Sequence, residues 1–122
     1  MDAAIAVTGA FLLVAFSDGL YAPSEERRFL STIANDPALK MLSTGALEDA
    51  YNLLIAEIEA DYDQACARIL DCIRAVRGDR VLAAAVTLAA RGATVADERI
   101  APQEELALNR IAEALGLEKG SL

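Results

Sequence analysis

Residues 18–26 read DGLYAPSEE and residues 97–105 read DERIAPQEE. The two stretches align without a gap at a constant offset of 79, and five of the nine positions are identical. Each follows an Ala-rich apolar segment, residues 3–16 and 80–95, and each leads into a segment with apolar residues at matching places, Phe29 with Leu108. Pro23 and Pro102 suit the first position of a helix, where a missing N–H leaves nothing unsatisfied, and the paired glutamates suit its first turn. The duplication predicts a helix-loop-helix unit used twice, as repeats over about 3–34 and 80–116.

The intervening sequence is helical as well. After the helix starting at Pro23, which should run to about residue 34, Asp36-Pro37 begins a short helix through Leu42 that Ser43-Thr44-Gly45 stops. Leu47, Ala50, Tyr51, Leu54, Ile55 and Ile58 fall at spacings of three and four, giving one apolar face. Asp61 is placed to cap the next helix, in which Cys66, Ile69, Ile73 and Val76 repeat the pattern. Gly78-Asp79 ends that helix and caps its successor, the Arg80 to Val95 stretch. The last helix starts at Pro102, carries Leu108, Ile111, Ala112 and Leu115, and stops at Gly116, with hydrophobic Leu117 after it. No segment shows the sustained two-residue alternation of a strand. The class is all-α, a single domain over residues 1–122.

Composition narrows the function. Apolar residues make up 55% of the 122 and aromatic ones 5%, so Ala, Leu, Ile and Val fill the interior. A formal charge of −8, from 19 acidic and 11 basic residues, repels a phosphate backbone and argues against nucleic acid. The longest apolar run, residues 3–16, is shorter than the roughly 18–20 residues a spanning helix needs, so it reads as a buried helix with no direct membrane insertion. Its flank carries Asp2 and no basic residue, which fits a secretory signal poorly, and a cytoplasmic protein is expected. Cys66 and Cys72 lie on one helical pattern, where six residues rise about 9 Å, beyond the roughly 7 Å limit of a disulfide. They read as reduced thiols. The chain has no histidine, which closes Ser-His and Cys-His catalysis and His-containing metal sites together.

The pattern of an apolar helix, Asp-Gly-x-x-x-Pro-x-Glu-Glu and a second helix resembles the TerB-like tellurite-resistance proteins, over nearly the whole chain from about Ala3 to Leu117. The resemblance implies a TerB-like multihelical domain of six to seven helices, with two repeats related by a pseudo-twofold axis. It implies a role in tellurite and other stress resistance. It also implies metal ligands at the acidic loops: Asp18, Glu25 and Glu26 in the first copy, Asp97, Glu104 and Glu105 in the second. The second copy departs from the pattern with Glu98 in place of Gly19, so the first loop is expected to be the better site.

Two readings of these acids stand side by side. Ala22 and Ala101 occupy the N-cap positions, where a Ser or Thr oxygen would normally accept a backbone hydrogen bond, so other oxygens must serve. Asp18 and Asp97 folding back onto loop amides, with Glu25 and Glu104 bonding toward the cap N–H as half a capping box, would do so. The alternative rests on direction. Glu26 precedes Phe29, Leu30 and Ile33 at helical spacing, and Glu105 precedes Leu108 and Ala112, so both extend an apolar stripe. A carboxylate on a core face is costly unless paired or bound to a cation, and these hard oxygens suit a divalent cation: Ca²⁺, Mg²⁺ or Mn²⁺.

Other constellations fail on inspection. An EF-hand register from Glu59 puts Gln64 where Gly is required and Leu70 where Glu is required, so Glu57, Glu59, Asp61 and Asp63 read as a solvated helix junction. No serine sits in a Gly-x-Ser-x-Gly elbow. The leading expectation is a non-enzymatic, TerB-like stress-response protein that acts through contacts with another protein, membrane-associated partners included, and responds to a divalent cation at its duplicated corners. A generic scaffold or co-chaperone-type interaction module without metal is the alternative. A metal-dependent hydrolase, using the corners to activate water, comes third.

Overall fold

The computed structural model describes residues 2–17, 44–93 and 102–118. They form five helices: α1 (Asp2–Ala15), α2 (Thr44–Ala60), α3 (Tyr62–Val76), α4 (Arg80–Gly92) and α5 (Pro102–Ala114). No strand occurs among the described residues, as the sequence predicts. The two further helices expected at about 23–34 and 37–42 lie outside the described residues, and with them the first acidic loop and half of the repeat superposition.

α1 is the centre of the fold. Every residue from Ala4 to Ala15 except Gly9 is a buried apolar side chain or the equally buried Thr8, and α1 packs against all four other helices. Such a helix has no polar stripe, so it is stable only when surrounded. The other helices supply one apolar face each. Leu47, Ala50, Tyr51, Leu54 and Ile58 come from α2 and Cys66, Ile69, Ile73 and Val76 from α3. Ala85, Val86, Ala89 and Ala90 come from α4, and Ala107, Leu108, Ile111 and Ala114 from α5. They merge with α1 into one hydrophobic cluster.

Small residues set how closely α1 and α3 approach. A Cβ built on Gly9 would lie 2.6 Å from Ile69 Cγ2 and 2.7 Å from Cγ1, against an ordinary carbon contact of about 3.5–4.0 Å. Gly9 is therefore a packing residue, a hydrogen where no methyl fits.

The junctions follow local chemistry. Asp61 is extended and its side chain accepts from the Gln64 N–H at 3.2 Å, so a single residue turns α2 into α3. Across this junction Arg68 pairs with Glu57. Asp79 likewise accepts from the N–H groups of Val81 and Leu82, starting α4. α4 ends at Gly92, earlier than the apolar run to Val95 suggests. α5 ends in a Schellman motif: the Leu117 N–H donates to Ala112 O at 2.8 Å and the Gly116 N–H to Glu113 O at 3.0 Å. Gly116 has φ 79°, the left-handed conformation the motif requires.

Candidate functional site

Of the six candidate acids, Glu104 and Glu105 lie within the described residues; Asp18, Glu25, Glu26 and Asp97 lie outside them. Both described glutamates stand in the first turn of α5, behind Pro102 at its first position. Four N–H groups at a helix start have no partner within the helix, and the helix dipole favours negative charge there, so carboxylates are stabilised at this place.

The structure corrects which of the two turns inward. Glu104 is only 4% exposed, whereas Glu105 is exposed. Glu104 precedes Ala107, Leu108 and Ile111 by three, four and seven residues, and all three are buried. At about 100° per residue the buried set straddles Glu104, while Glu105 lies a third of a turn round the helix. Sequence reasoning took Leu108 and Ala112 as the line of the stripe and so extended it to Glu105. Ala112 is buried, but on the edge of the face whose middle runs through Glu104, Ile111 and Leu115. By the offset of 79, the first-copy residue matching Glu104 is Glu25.

Burial separates the surroundings of the two carboxylates as well. Glu104 is held inside and is engaged with its surroundings, whereas Glu105 faces water. They do not converge on one point. No group of three or more His, Cys, Asp or Glu placed to hold a metal occurs among the described residues.

A cleft of about 150 Å³ lies between α1, α3 and α5. Ser17, the residue before Asp18, and Gln103, the residue before Glu104, both line it. Leu13, Tyr62, Leu106, Ala107 and Arg110 complete the described lining. A second cleft of about 230 Å³ lies at the α2–α3 junction, with Glu57, Asp61, Gln64 and Arg68 on its walls. Sequence reasoning missed the first cleft, because its residues come from three helices and no spacing pattern joins them.

Two thiols complete the chemistry. Cys66 is buried and Cys72 half-buried, and no disulfide joins them, as their spacing on one helix predicts. Burial pushes the Cys66 thiol above its ordinary pKa, with the neighbouring Tyr62 and Arg110 opposing.

The family model described as tellurite resistance protein TerB matches residues 4–122. The chain belongs to the TerB family. The match spans both acidic segments and all five described helices, and the all-α class agrees with it. No curated protein and no solved structure gave a match. Among the described residues, no TerB helix is long and apolar enough to cross a membrane.

Proposed function

We propose that this TerB-family chain is a non-enzymatic stress-response protein that acts through contacts with another protein and takes a divalent cation at its duplicated acidic corners. In this reading Glu104 with Asp97, and Glu25 with Asp18, supply the ligands, and Glu105 and Glu26 stay outside. The observation that carries it is the burial of Glu104 in the middle of the core-facing side of α5. Glu104 is engaged with its surroundings, and a bound Ca²⁺, Mg²⁺ or Mn²⁺ would add a positive charge suited to a carboxylate held there. The absence of histidine from the sequence weighs against hydrolytic chemistry at the same acids.

The second reading is favoured by one observation of its own. Counting from Pro102, Glu104 holds the third helical position, where a Glu or Gln side chain reaches back to the cap N–H. The acids then hold loops, and the chain is an interaction scaffold without metal.

Thermal melting in Ca²⁺, Mg²⁺, Mn²⁺ and Zn²⁺ at millimolar levels separates the two. A cation bound only by the native state at 100 times its Kd adds about 2.7 kcal/mol, a shift of many degrees. The expected result is a rise for at least one cation, reduced more by Asp18→Asn than by Asp97→Asn. Unchanged melting in all four cations, with both variants destabilised, would establish the capping reading instead.

A further inference from the structure

The cleft between α1, α3 and α5 has a composition unlike the rest of this acidic surface. Leu13, Leu106 and Ala107 form apolar walls, and Leu106 is 59% exposed, more than any other large apolar side chain described. The polar lining is Ser17, Tyr62, Gln103 and Arg110, with no carboxylate among the described lining residues. Ser17 is engaged within α1, its hydroxyl donating to Val14 O at 2.6 Å. The donors left facing the cleft are the Arg110 guanidinium and the Gln103 amide. The Tyr62 phenol is engaged with the Cys66 thiol, and burial pushes its pKa up to about 12. No ion pair claims Arg110 among the described residues, in contrast to Arg68 and Arg74, which pair with Glu57 and Asp71.

Charge and size both define the occupant. A guanidinium that no ion pair claims among the described residues, set against apolar walls on a chain of net charge −8, complements an anion presented next to an apolar group. The volume of about 150 Å³ is well below the roughly 300–1,000 Å³ of ordinary small-molecule pockets. It accommodates one side chain rather than a metabolite. Anchoring of a partner through one such residue in a small pocket is a common arrangement at protein interfaces.

We propose that this cleft docks a segment of a partner protein that presents a branched apolar side chain beside a carboxylate. The side chain lies on Leu13, Leu106 and Ala107, and the carboxylate accepts from Arg110 and Gln103. The proposal rests on the reading that the chain acts through protein contacts, and it uses none of the candidate cation ligands.

N-acetyl-leucine carries both groups and N-acetyl-leucinamide only the apolar one. Each is titrated into the ¹⁵N-labelled full chain in EDTA and followed by amide NMR. N-acetyl-leucine is expected to shift Ser17, Tyr62, Leu106 and Arg110 saturably and to bind roughly fivefold more tightly than the amide, the upper range for one exposed ion pair. Added salt should shrink that preference. Arg110→Gln, at an exposed position, should erase the preference and spare amide binding, while Leu106→Ser should weaken both probes. Absence of saturable shifts at these residues, equal binding of the two probes, or a preference that survives Arg110→Gln overturns the proposal. Because EDTA removes divalent cations, this outcome and that of the cation titration are independent.

Discussion

Replacing Gly9 by alanine adds one methyl at the closest approach of α1 to α3, and two effects of opposite sign compete. Alanine is the better helix former by about 1 kcal/mol in a helix interior. Against that, the new Cβ would meet Ile69 Cγ2 at 2.6 Å, Cγ1 at 2.7 Å and Cβ at 3.1 Å. Ile69 is fully buried, and the overlap reaches its own Cβ, so a rotamer change cannot relieve it and a helix must shift. Overpacking of this kind costs about 1–3 kcal/mol. The net expectation is a loss of up to about 2 kcal/mol, read as a lower urea midpoint at unchanged slope. Gly45, near the start of α2, has nothing within 4 Å of a built Cβ, so Gly45→Ala should be neutral or stabilising by up to about 1 kcal/mol. A double-mutant cycle of Gly9→Ala with Ile69→Ala should show a favourable coupling of about 1 kcal/mol or more, since the added methyl fills part of the space the truncation leaves. If Gly9→Ala is as stable as wild type and uncoupled from Ile69, the described contact between α1 and α3 is wrong.

Three other outcomes follow from the same core. Thr8 is fully buried and its hydroxyl has no hydrogen-bond partner among the described residues, so Thr8→Val should stabilise by about 1 kcal/mol; a loss in urea denaturation would mean that the hydroxyl is bonded. Cys66 is buried, with its thiol pKa raised chiefly by that burial, and Cys72 is half-buried. Iodoacetamide should therefore label Cys72 first under native conditions and both thiols after denaturation without reductant, and equal native rates would contradict the packing. Tyr62 is pushed up to about 12, by burial first and then by Cys66. Unfolded tyrosine ionises near 10 while the folded phenol stays neutral, so this contribution is intact below about pH 10 and is lost as pH rises toward 12. Urea midpoints measured across that window should fall more steeply for wild type than for Tyr62→Phe, and parallel curves would refute it.

What could be read from the residues in advance depended on range. Asp61 and Asp79 act on amides two or three positions away, and Gly116 on carbonyls of the turn before it, so short-range chemistry identified all three helix boundaries. α1 was legible because a run without a polar face has no stable place except inside. Glu104 and Glu105 were confused because adjacent residues differ by only about 100° around a broad apolar face, and Ala112, at its edge, suggested the wrong line. The contact of Gly9 with Ile69 and the cleft of Leu13, Tyr62 and Arg110 depend on the packing of separate helices. No local spacing encodes them.

The central functional claim is that the inward acid of the second corner holds a cation, and it is tested most directly by melting wild type, Glu104→Gln and Glu105→Gln with and without the divalent cation that most stabilises wild type. Glutamine at position 104 can still make the capping bond but lacks the charge a cation needs. The cation is expected to raise the melting temperature of wild type and Glu105→Gln alike and that of Glu104→Gln by less, the remaining rise coming from the first corner. A cation effect that survives Glu104→Gln and disappears in Glu105→Gln would contradict it, as would three proteins that melt identically with and without every cation.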